Sequence, residues 1–186
     1  MRRCVSSSKK VSEPGEPSVP FELLSRSHHR EAFDCGMEDM NRYLREEANK
    51  NAKDNLSRTY VLTDPQRPRT DPNKQPLDGF YTLVAHSIRF DVVPANLPAY
   101  PIPVIHLARL AVDVKRQRQG IGTKLLLDAL RRSYAVAQEV GVYAVELRSY
   151  PNRPALQFWR AGVRRLALLL SPQNWGLGGL SDSLLG

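Results

Sequence analysis

The sequence is poor in cysteine and in long apolar runs. Cys4 and Cys35 are the only cysteines among 186 residues, and so small a number makes a disulfide framework or a zinc site improbable. The first twenty residues contain no apolar core of signal-peptide length, and no stretch reaches the length of a membrane span. We therefore expect a cytoplasmic protein without a bound metal.

Acidic residues are fewer than basic ones. The chain has 27 Lys and Arg against 19 Asp and Glu, which gives a net charge of +8. This excess favours a polyanionic partner such as nucleic acid, a phosphorylated cofactor or an acidic protein. A solvated basic surface is the alternative. The length suits one domain with a single core, and no internal repeat is present.

The N-terminal segment differs in composition from the rest of the chain. Residues 1–20 are rich in Ser, Pro, Lys and Glu, and we expect them to be a disordered extension. A single domain is expected over residues 21–186, with an atypical end after about residue 162. Order is expected to begin with a short strand at Pro20–Ser25.

The sequence of the first half of the domain predicts one helix and two strands. The helix is expected to open at Asp34 or Gly36, and its apolar residues recur at helical spacing. They are Met37, Met40, Tyr43, Leu44 and Ala48. The strands are Arg58–Thr63 and Gly79–Ala85, and the four prolines between them predict an extended hairpin connection without regular structure.

The second half predicts a central strand, a long helix and a further strand. The nearly continuous apolar run Val104–Val112 is typical of a strand covered on both faces. The following helix should end at Gly141, and Val142–Leu147 reads as a strand. The apolar face of the long helix comprises Ile121, Leu125, Leu126, Ala129, Leu130, Tyr134 and Ala137. Beyond it, Arg153–Gly162 predicts a short helix, and VRRLALLL is either a strand or a helix.

This order of elements predicts an α/β (α+β) fold in which sheet neighbours are mostly antiparallel. Between the apolar strand and the long helix lies QRQGIGTK, Gln117–Lys124. A strand that runs into a helix leaves the first N–H groups of the helix without partners, and glycines let the backbone approach an anion. The amides of Arg118–Lys124 are therefore candidates to bind a pyrophosphate, with Arg116, Arg118 and Lys124 adding charge at the rim.

Two other phosphate-binding loops are excluded by spacing. A Walker loop requires G-x-x-x-x-G-K-[ST], which the order of Gly122, Thr123 and Lys124 does not supply. A dinucleotide-binding loop requires a third glycine that is absent here. The remaining pattern is Q-x-x-G-x-G between a strand that ends near Asp113 and a helix of about twenty residues.

The stretch ARLAVDVKRQRQGIGTKLLLDAL resembles the acyl-CoA-binding core of the GCN5-related N-acetyltransferases (GNAT). Their loop reads R/Q-x-x-G-x-G/A, matched by Gln117, Gly120 and Gly122. The resemblance implies a GNAT fold, with a mixed, mostly antiparallel sheet flanked by helices, and acetyl-CoA as the donor. It implies that the loop amides hold the pyrophosphate and that the preceding strand pairs with the pantetheine arm. The implied cofactor-binding residues are Leu110, Ala111, Val112, Gln117, Arg118, Gln119, Gly120, Ile121, Gly122, Thr123, Lys124 and Asn152.

Over residues 20–150, several blocks resemble one branch of the family, the acetyltransferase toxins of bacterial toxin–antitoxin pairs. These are FDCGMEDMNRYLREEANKN, RTYVL, GFYTLVA and HLARLAVD, in this order. The resemblance implies transfer of an acetyl group to the α-amine of aminoacyl-tRNA, a block of translation, a ribbon-helix-helix antitoxin and a homodimer. The basic surface suits tRNA.

The sequence departs from that branch at PNRPALQFWRAGV. Trp159 stands where the toxins carry a tyrosine that acts as general acid, and an indole N–H cannot take that role. Three alternatives remain open: Tyr150, Tyr81 or water supplies the proton, the thiolate leaves without help, or the enzyme is impaired. Glu146 is the nearest carboxylate that could act as a base, although a solvated strand-end charge is the favoured interpretation.

Two residues of the central strand have open roles. We favour a core or rim position for His106 over a catalytic one, and Arg109 either faces the substrate or pairs inside the fold. The function is therefore interpreted as N-acetylation of aminoacyl-tRNA by a toxin. The alternatives are an acetyltransferase acting on a protein or small-molecule amine, and an impaired acyl-CoA-binding module.

Overall fold

The computed structural model describes residues 21–89 and 99–148, together with the backbone of 165–169. The expectations for residues 1–20, for a helix at Arg153–Gly162, and for Tyr150, Asn152 and Trp159 lie outside the described residues. The strands are β1 (Phe21–Leu23), β2 (Arg58–Thr63), β3 (Leu77–Ile88), β4 (Ile102–Val112), β5 (Ala144–Arg148) and β6 (Arg165–Leu169). The helices are α1 (Glu38–Arg42), α2 (Ala48–Lys53) and α3 (Ile121–Val140).

The six strands form one sheet in the order of the sequence, β1-β2-β3-β4-β5-β6. Neighbours are antiparallel except β4 and β5, which run parallel and are connected by α3. A parallel pair requires such a crossover. The predicted mixed, mostly antiparallel sheet flanked by helices is confirmed, as are the central position of β4 and the β2–β3 hairpin.

The first helical region packs on one face of the sheet. Tyr43, Leu44 and Ala48 are buried in one cluster with Val61 and Phe80, as the predicted apolar stripe requires. Tyr43–Glu47 is a π-helical segment between α1 and α2. The helix begins after Met37, whose φ of −131° is extended, and so the predicted openings at Asp34 or Gly36 are wrong.

Asp34 has a different role, just before that helix. Its Oδ1 accepts hydrogen bonds from the N–H of Gly36 and from Nδ2 of Asn41, each at 2.8 Å. A short acidic side chain that bonds the backbone two residues on stabilises a turn. The residue therefore shapes the entry to the helix from outside it.

Helix α3 covers the opposite face. Leu125 and Ala129 are fully buried with Tyr81, Leu107 and Val145, and the helix ends at Gly141 as predicted, with φ +68°. The packing is close, because a Cβ added at Gly79 would lie 2.7 Å from Cδ1 of Leu125 and 2.9 Å from the carbonyl oxygen of Ala111.

The last described strand selects one of two interpretations of VRRLALLL. β6, Arg165–Leu169, is antiparallel to β5, with Glu146 opposite Ala167. The strand interpretation is therefore confirmed. Within the described residues, no helix is long and apolar enough to cross a membrane.

Candidate cofactor and acyl-transfer site

The sheet splits between its two parallel strands. β4 pairs with β5 through Val104–Leu107 only, among the residues that the structure describes, whereas its pairing with β3 continues to Val112. A register shift lies at the point of separation, where Thr82 is opposite Arg109 and Leu83 is opposite Leu107. Within the described ranges, β4 has no strand partner on this side from Ala108 onward, which fits the predicted pairing of Leu110–Val112 with a pantetheine arm.

At the end of this edge the chain turns into α3 through two residues in the left-handed region. Arg118 has φ +61° and Gly120 has φ +75°. The first backbone bond of the helix runs from the N–H of Lys124 to the carbonyl oxygen of Gly120, at 3.2 Å. The N–H groups of Ile121, Gly122 and Thr123 therefore point out of the end of the helix, where its dipole favours an anion.

The space around the loop is open. A Cβ added at Gly120 would meet nothing within 4 Å, and one at Gly122 would meet only Cγ2 of Val112, at 3.9 Å. The side chains of Arg118 and Lys124 are exposed, as predicted for charges at the rim. The loop thus offers backbone donors, positive charge and room, which is the set that a pyrophosphate requires.

The two glutamines of the loop point back at the protein backbone. Nε2 of Gln117 donates to the carbonyl oxygens of Val112 (3.1 Å) and Cys35 (3.3 Å). Nε2 of Gln119 donates to the carbonyl oxygen of Lys115 at 3.3 Å. These bonds fix the path of the loop, and the backbone N–H groups are what it presents to a ligand.

The prediction that Arg116 adds charge at the rim is wrong. Its guanidinium lies 3.3 Å from Oδ2 of Asp78 and 3.4 Å from Oδ2 of Asp64. Arg67, from the proline-rich connection, lies 2.8 Å from Oδ1 of Asp78 and 3.8 Å from Oδ2 of Asp113. Both cations are therefore used to hold buried carboxylates beneath the loop. Nothing in the sequence marks Arg67 or Asp78 for this role, since their partners lie far along the chain.

Asp113 connects this network to the loop. Its carboxylate accepts a hydrogen bond from the N–H of Lys115 at 2.9 Å and caps the short 3-10 turn Val114–Arg116. Its own N–H donates to the carbonyl oxygen of Asp78 at 3.0 Å. The turn that leads into the glycine loop is thus anchored to the start of β3.

Tyr81, one of the candidate proton donors, is enclosed between the sheet and α3. Its side chain is fully buried, and its hydroxyl donates to Oδ2 of Asp128 at 2.5 Å. Burial and the Asp128 carboxylate raise the pKa of Tyr81. A hydroxyl in this environment retains its proton, which opposes a role as general acid. The other two candidates, Tyr150 and Trp159, lie outside the described residues, as does Asn152.

The favoured interpretation of Glu146 as a solvated charge is wrong. The carboxyl group is 1% exposed, and its Oε2 lies 3.5 Å from Nδ1 of His106 and 3.7 Å from Nε2 of His86. The parallel register places Glu146 directly beside His106. This pairing joins residues forty positions apart, and sequence spacing alone contains no signal for it.

Arg109 pairs inside the fold. Its guanidinium carbon lies 3.6 Å from the centroid of the Tyr43 ring, a cation–π contact. Burial acts to raise the pKa of Tyr43, but the hydrogen bonds with Ser57, Thr59 and Thr82 together outweigh it and lower the pKa. In the described ranges, no group of three His, Cys, Asp or Glu side chains is arranged to hold a metal ion.

Comparison with known proteins agrees with this geometry. Residues 83–163 match the sequence model of the acetyltransferase (GNAT) family. The chain is 28% identical over 144 residues to a probable toxin TacT of Sinorhizobium fredii, covering 75% of this chain and 71% of the relative. It is 35% identical over 118 residues to a tRNA-acetylating toxin of Mycobacterium tuberculosis, covering 61% of this chain and 65% of the relative, slightly under two thirds of its length.

Solved structures of toxins have a similar fold. AtaT complexed with acetyl-methionyl-tRNAfMet has a TM-score of 0.67 and 23% identity, covering 81% of this chain and 94% of that one. A mutant AtaT toxin bound to the C-terminus of the antitoxin AtaR and acetyl-CoA has a TM-score of 0.63 and 23% identity, covering 81% and 92%. The split sheet and the glycine loop thus lie largely within the region, residues 83–163, that matches the acetyltransferase (GNAT) family.

Proposed function

We propose that the protein is an acetyl-CoA-dependent N-acetyltransferase that modifies the α-amine of aminoacyl-tRNA. The observation that carries the proposal is the open edge of β4, which leads directly into the N–H groups at the start of α3. The acceptor is proposed from the tRNA-acetylating relative and from the AtaT complex with acetyl-methionyl-tRNAfMet. The chain's net charge of +8 suits an RNA substrate.

The donor would be held by backbone groups of this chain. Leu110, Ala111 and Val112 would pair with the pantetheine arm, and the loop Gln117–Lys124 would bind the pyrophosphate, chiefly through the N–H groups of Ile121, Gly122 and Thr123. Asn152 is retained as a proposed contact from the family resemblance. When bound, acetyl-CoA supplies an acetyl group activated as a thioester, and the N–H of Ala111 or Val112 would stabilise negative charge on its carbonyl oxygen.

The proton returned to the leaving thiolate has several candidate sources. Tyr150 and water remain proposals, and the position of Trp159 supplies no ionisable hydroxyl. Tyr81 is disfavoured by its contact with Asp128. A thiol is far more acidic than an alcohol or an amine, with an ordinary pKa of about 8.5 in cysteine, so departure without a dedicated acid is consistent with this site.

The proposal extends to partners and location. The toxin-like relatives support an antitoxin that binds this chain, and we propose that it is of the ribbon-helix-helix type. We also propose a homodimer, which would join two basic surfaces on one RNA, and a cytoplasmic location, where charged tRNA occurs. Size-exclusion chromatography with light scattering tests the dimer directly.

Acetyl transfer from radiolabelled acetyl-CoA tests the function. The purified chain is incubated with total tRNA charged with amino acids, and the same tRNA after mild alkaline deacylation serves as the matched control. We expect label only in the charged RNA, and N-acetylated amino acids after the ester bonds are hydrolysed. Labelling of a peptide or polyamine mixture, with charged RNA unlabelled, would favour the alternative acceptor. Absence of coenzyme A release with every amine would favour an impaired acyl-CoA-binding module.

A further inference from the structure

Two arginines of the described residues lie over tyrosine rings, one on each face of the sheet. The guanidinium carbon of Arg109 lies 3.6 Å from the centroid of the Tyr43 ring, and that of Arg132 lies 4.2 Å from the centroid of the Tyr60 ring. Tyr43 packs in the cluster that α1 and α2 cover, whereas Tyr60 packs against the cluster that α3 covers. The two contacts are of the same cation–π kind, and they can therefore be compared directly.

The two arginines differ in what balances their charge. Nε of Arg132 lies 2.8 Å from Oδ2 of Asp128, which supplies a counter-charge. Among the described residues, no carboxylate lies within 4.0 Å of the guanidinium of Arg109, and no acceptor takes a hydrogen bond from it. Arg109 is nevertheless half-buried. A cation that is partly removed from water without a counter-charge is costly, and such a position indicates a ligand that supplies the negative charge.

The ring of Tyr43 contacts one face of the guanidinium and leaves its edges unused. The N–H donors of an arginine lie in the plane of the guanidinium, so stacking on a ring occupies none of them. Tyr43 is itself fixed, because it is 1% exposed, stacks on Phe80 with ring centroids 6.4 Å apart, and has its hydroxyl 3.4 Å from Oγ of Ser57. Arg109 is thus a positioned cation with in-plane donors, the arrangement that binds a phosphate or a carboxylate.

The position of Arg109 on β4 is the second observation. It lies directly after the register shift of the strand and two residues beyond Leu107, the last described residue of β4 that pairs with β5. Arg109 and Ala111 both pack with the cluster under α1 and α2. The thioester carbonyl is proposed at the N–H of Ala111 or Val112, two or three residues further along the strand, which is roughly 7–10 Å. A group bound by Arg109 would therefore lie beside the reacting carbon without touching it.

We propose that Arg109 binds the phosphate that precedes the terminal adenosine of aminoacyl-tRNA; this inference rests on the proposed function. In such an acceptor, only the ester and one ribose separate the α-amine from this phosphate. Two in-plane N–H groups of the guanidinium bind its two unesterified oxygens, which places the amine next to the thioester. Arg109 is thus a substrate-binding residue that favours nucleotide acceptors over amines without a phosphate, and it takes no part in proton transfer.

Two nucleases provide acceptors that differ by this one phosphate. Ribonuclease A cuts charged tRNA after its last cytidine and releases aminoacyl-adenosine, whereas nuclease P1 releases the same aminoacyl-adenosine with a 5′-phosphate. Both fragments are prepared from one pool of total charged tRNA, so their amino acids are identical. The measurement is kcat/KM of acetyl transfer to each fragment at saturating acetyl-CoA. It is made for the wild type, for Arg109→Gln and Arg109→Lys, and for the matched control Arg132→Gln.

We expect the wild type to prefer the phosphorylated fragment roughly 10- to 100-fold, the size expected of a hydrogen bond to a charged group. Arg109→Gln should lose this preference, because only the rate with the phosphorylated fragment falls, and its KM for acetyl-CoA should be unchanged. Arg109→Lys keeps the charge without the planar pair of donors and should retain part of the preference. Arg132→Gln should retain all of it, since Arg132 lies on the other face and is balanced by Asp128.

Two kinetic results would overturn the assignment. One is a wild-type chain that acetylates both fragments equally well, a result that does not depend on the folding of any variant. The other is an Arg109→Gln variant that loses the same factor with both fragments, which indicates a structural role.

A wild-type chain that acetylates neither the fragments nor intact charged tRNA overturns the proposed function instead. NMR of the arginine Nε–H groups then tests the phosphate site separately, with the protein saturated with coenzyme A so that the glycine loop is occupied. Adenosine 5′-monophosphate should shift the resonance that is missing in Arg109→Lys, and adenosine should not. A resonance that neither compound moves would refute the site.

Discussion

The hydroxyl of Tyr81 is the only candidate proton donor among the described residues, and its surroundings assign it to the core. It donates to Asp128, which also binds Nε of Arg132 at 2.8 Å. We predict that Tyr81→Phe keeps kcat within about threefold of wild type and lowers the free energy of unfolding by about 1–3 kcal/mol, because a hydrogen bond to a charged group is lost. Denaturant unfolding and steady-state acetyl transfer measure the two effects.

The stability difference should depend on pH with a defined sign. The pKa of Tyr81 is raised in the folded state by burial and by Asp128. Its contribution to stability is therefore complete below the ordinary tyrosine value of about 10 and is lost as the pH rises above it. The difference between wild type and Tyr81→Phe should shrink between pH 7 and pH 11. A kcat loss above tenfold with unchanged stability would instead make Tyr81 the general acid.

Two single-residue predictions were wrong because their partners lie far along the chain. Arg116 is next to a glycine loop in sequence, which favoured a role at the rim, but its guanidinium binds Asp64 and Asp78. Glu146 is near the end of a strand, which favoured solvent, but the parallel register buries it beside His106. Charge and local spacing do not contain the long-range pairing that decides such cases.

At the scale of elements, α3 offers a controlled test of the anion site. Both its ends carry a glycine in the left-handed region, Gly120 at φ +75° and Gly141 at φ +68°, and an added Cβ meets nothing within 4 Å at either. We predict that Gly120→Asp weakens acetyl-CoA binding at least tenfold, because a carboxylate enters the pyrophosphate site at the positive end of the helix dipole. Isothermal titration calorimetry measures the affinity.

The controls for this prediction separate charge from backbone strain. Gly120→Asn has nearly the same shape without the charge, and so it should lose much less affinity than Gly120→Asp. Gly141→Asp carries a similar strain at the far end of the helix and should bind acetyl-CoA like the wild type. Equal affinities of Gly120→Asp and Gly120→Asn would show that the loop does not hold a phosphate.

The elements that could be predicted from the sequence are those with local signals. The spacing of apolar residues located α3 and its end at Gly141, and the apolar run located β4. The π-helical segment Tyr43–Glu47 carries no such signal, since no residue type in it distinguishes i→i+5 from i→i+4 hydrogen bonding. The point at which β4 and β5 separate has no local signal in the sequence either. It depends on where β5, which follows α3 in the chain, stops pairing with β4.

At the scale of the whole molecule, the sheet separates two approaches to the site, and each of them carries exposed cations. α1 and α2 cover the face that carries Arg109, whereas α3 covers the other. Lys50 and Lys53 are exposed on α2, and Arg131 is exposed on α3. An RNA acceptor that reaches the α1–α2 face would lie near the two lysines and away from Arg131.

We therefore predict that the double variant Lys50→Gln/Lys53→Gln raises the KM for charged tRNA. The slope of log KM against log salt concentration should fall by about one for each phosphate contact that is lost. Arg131→Gln, the matched removal of charge on the other face, should leave both unchanged. The measurement is KM for charged tRNA and for acetyl-CoA between 50 and 200 mM salt, roughly the range over which such contacts are screened. An equal effect of Arg131→Gln would place the RNA on the α3 side and separate it from Arg109.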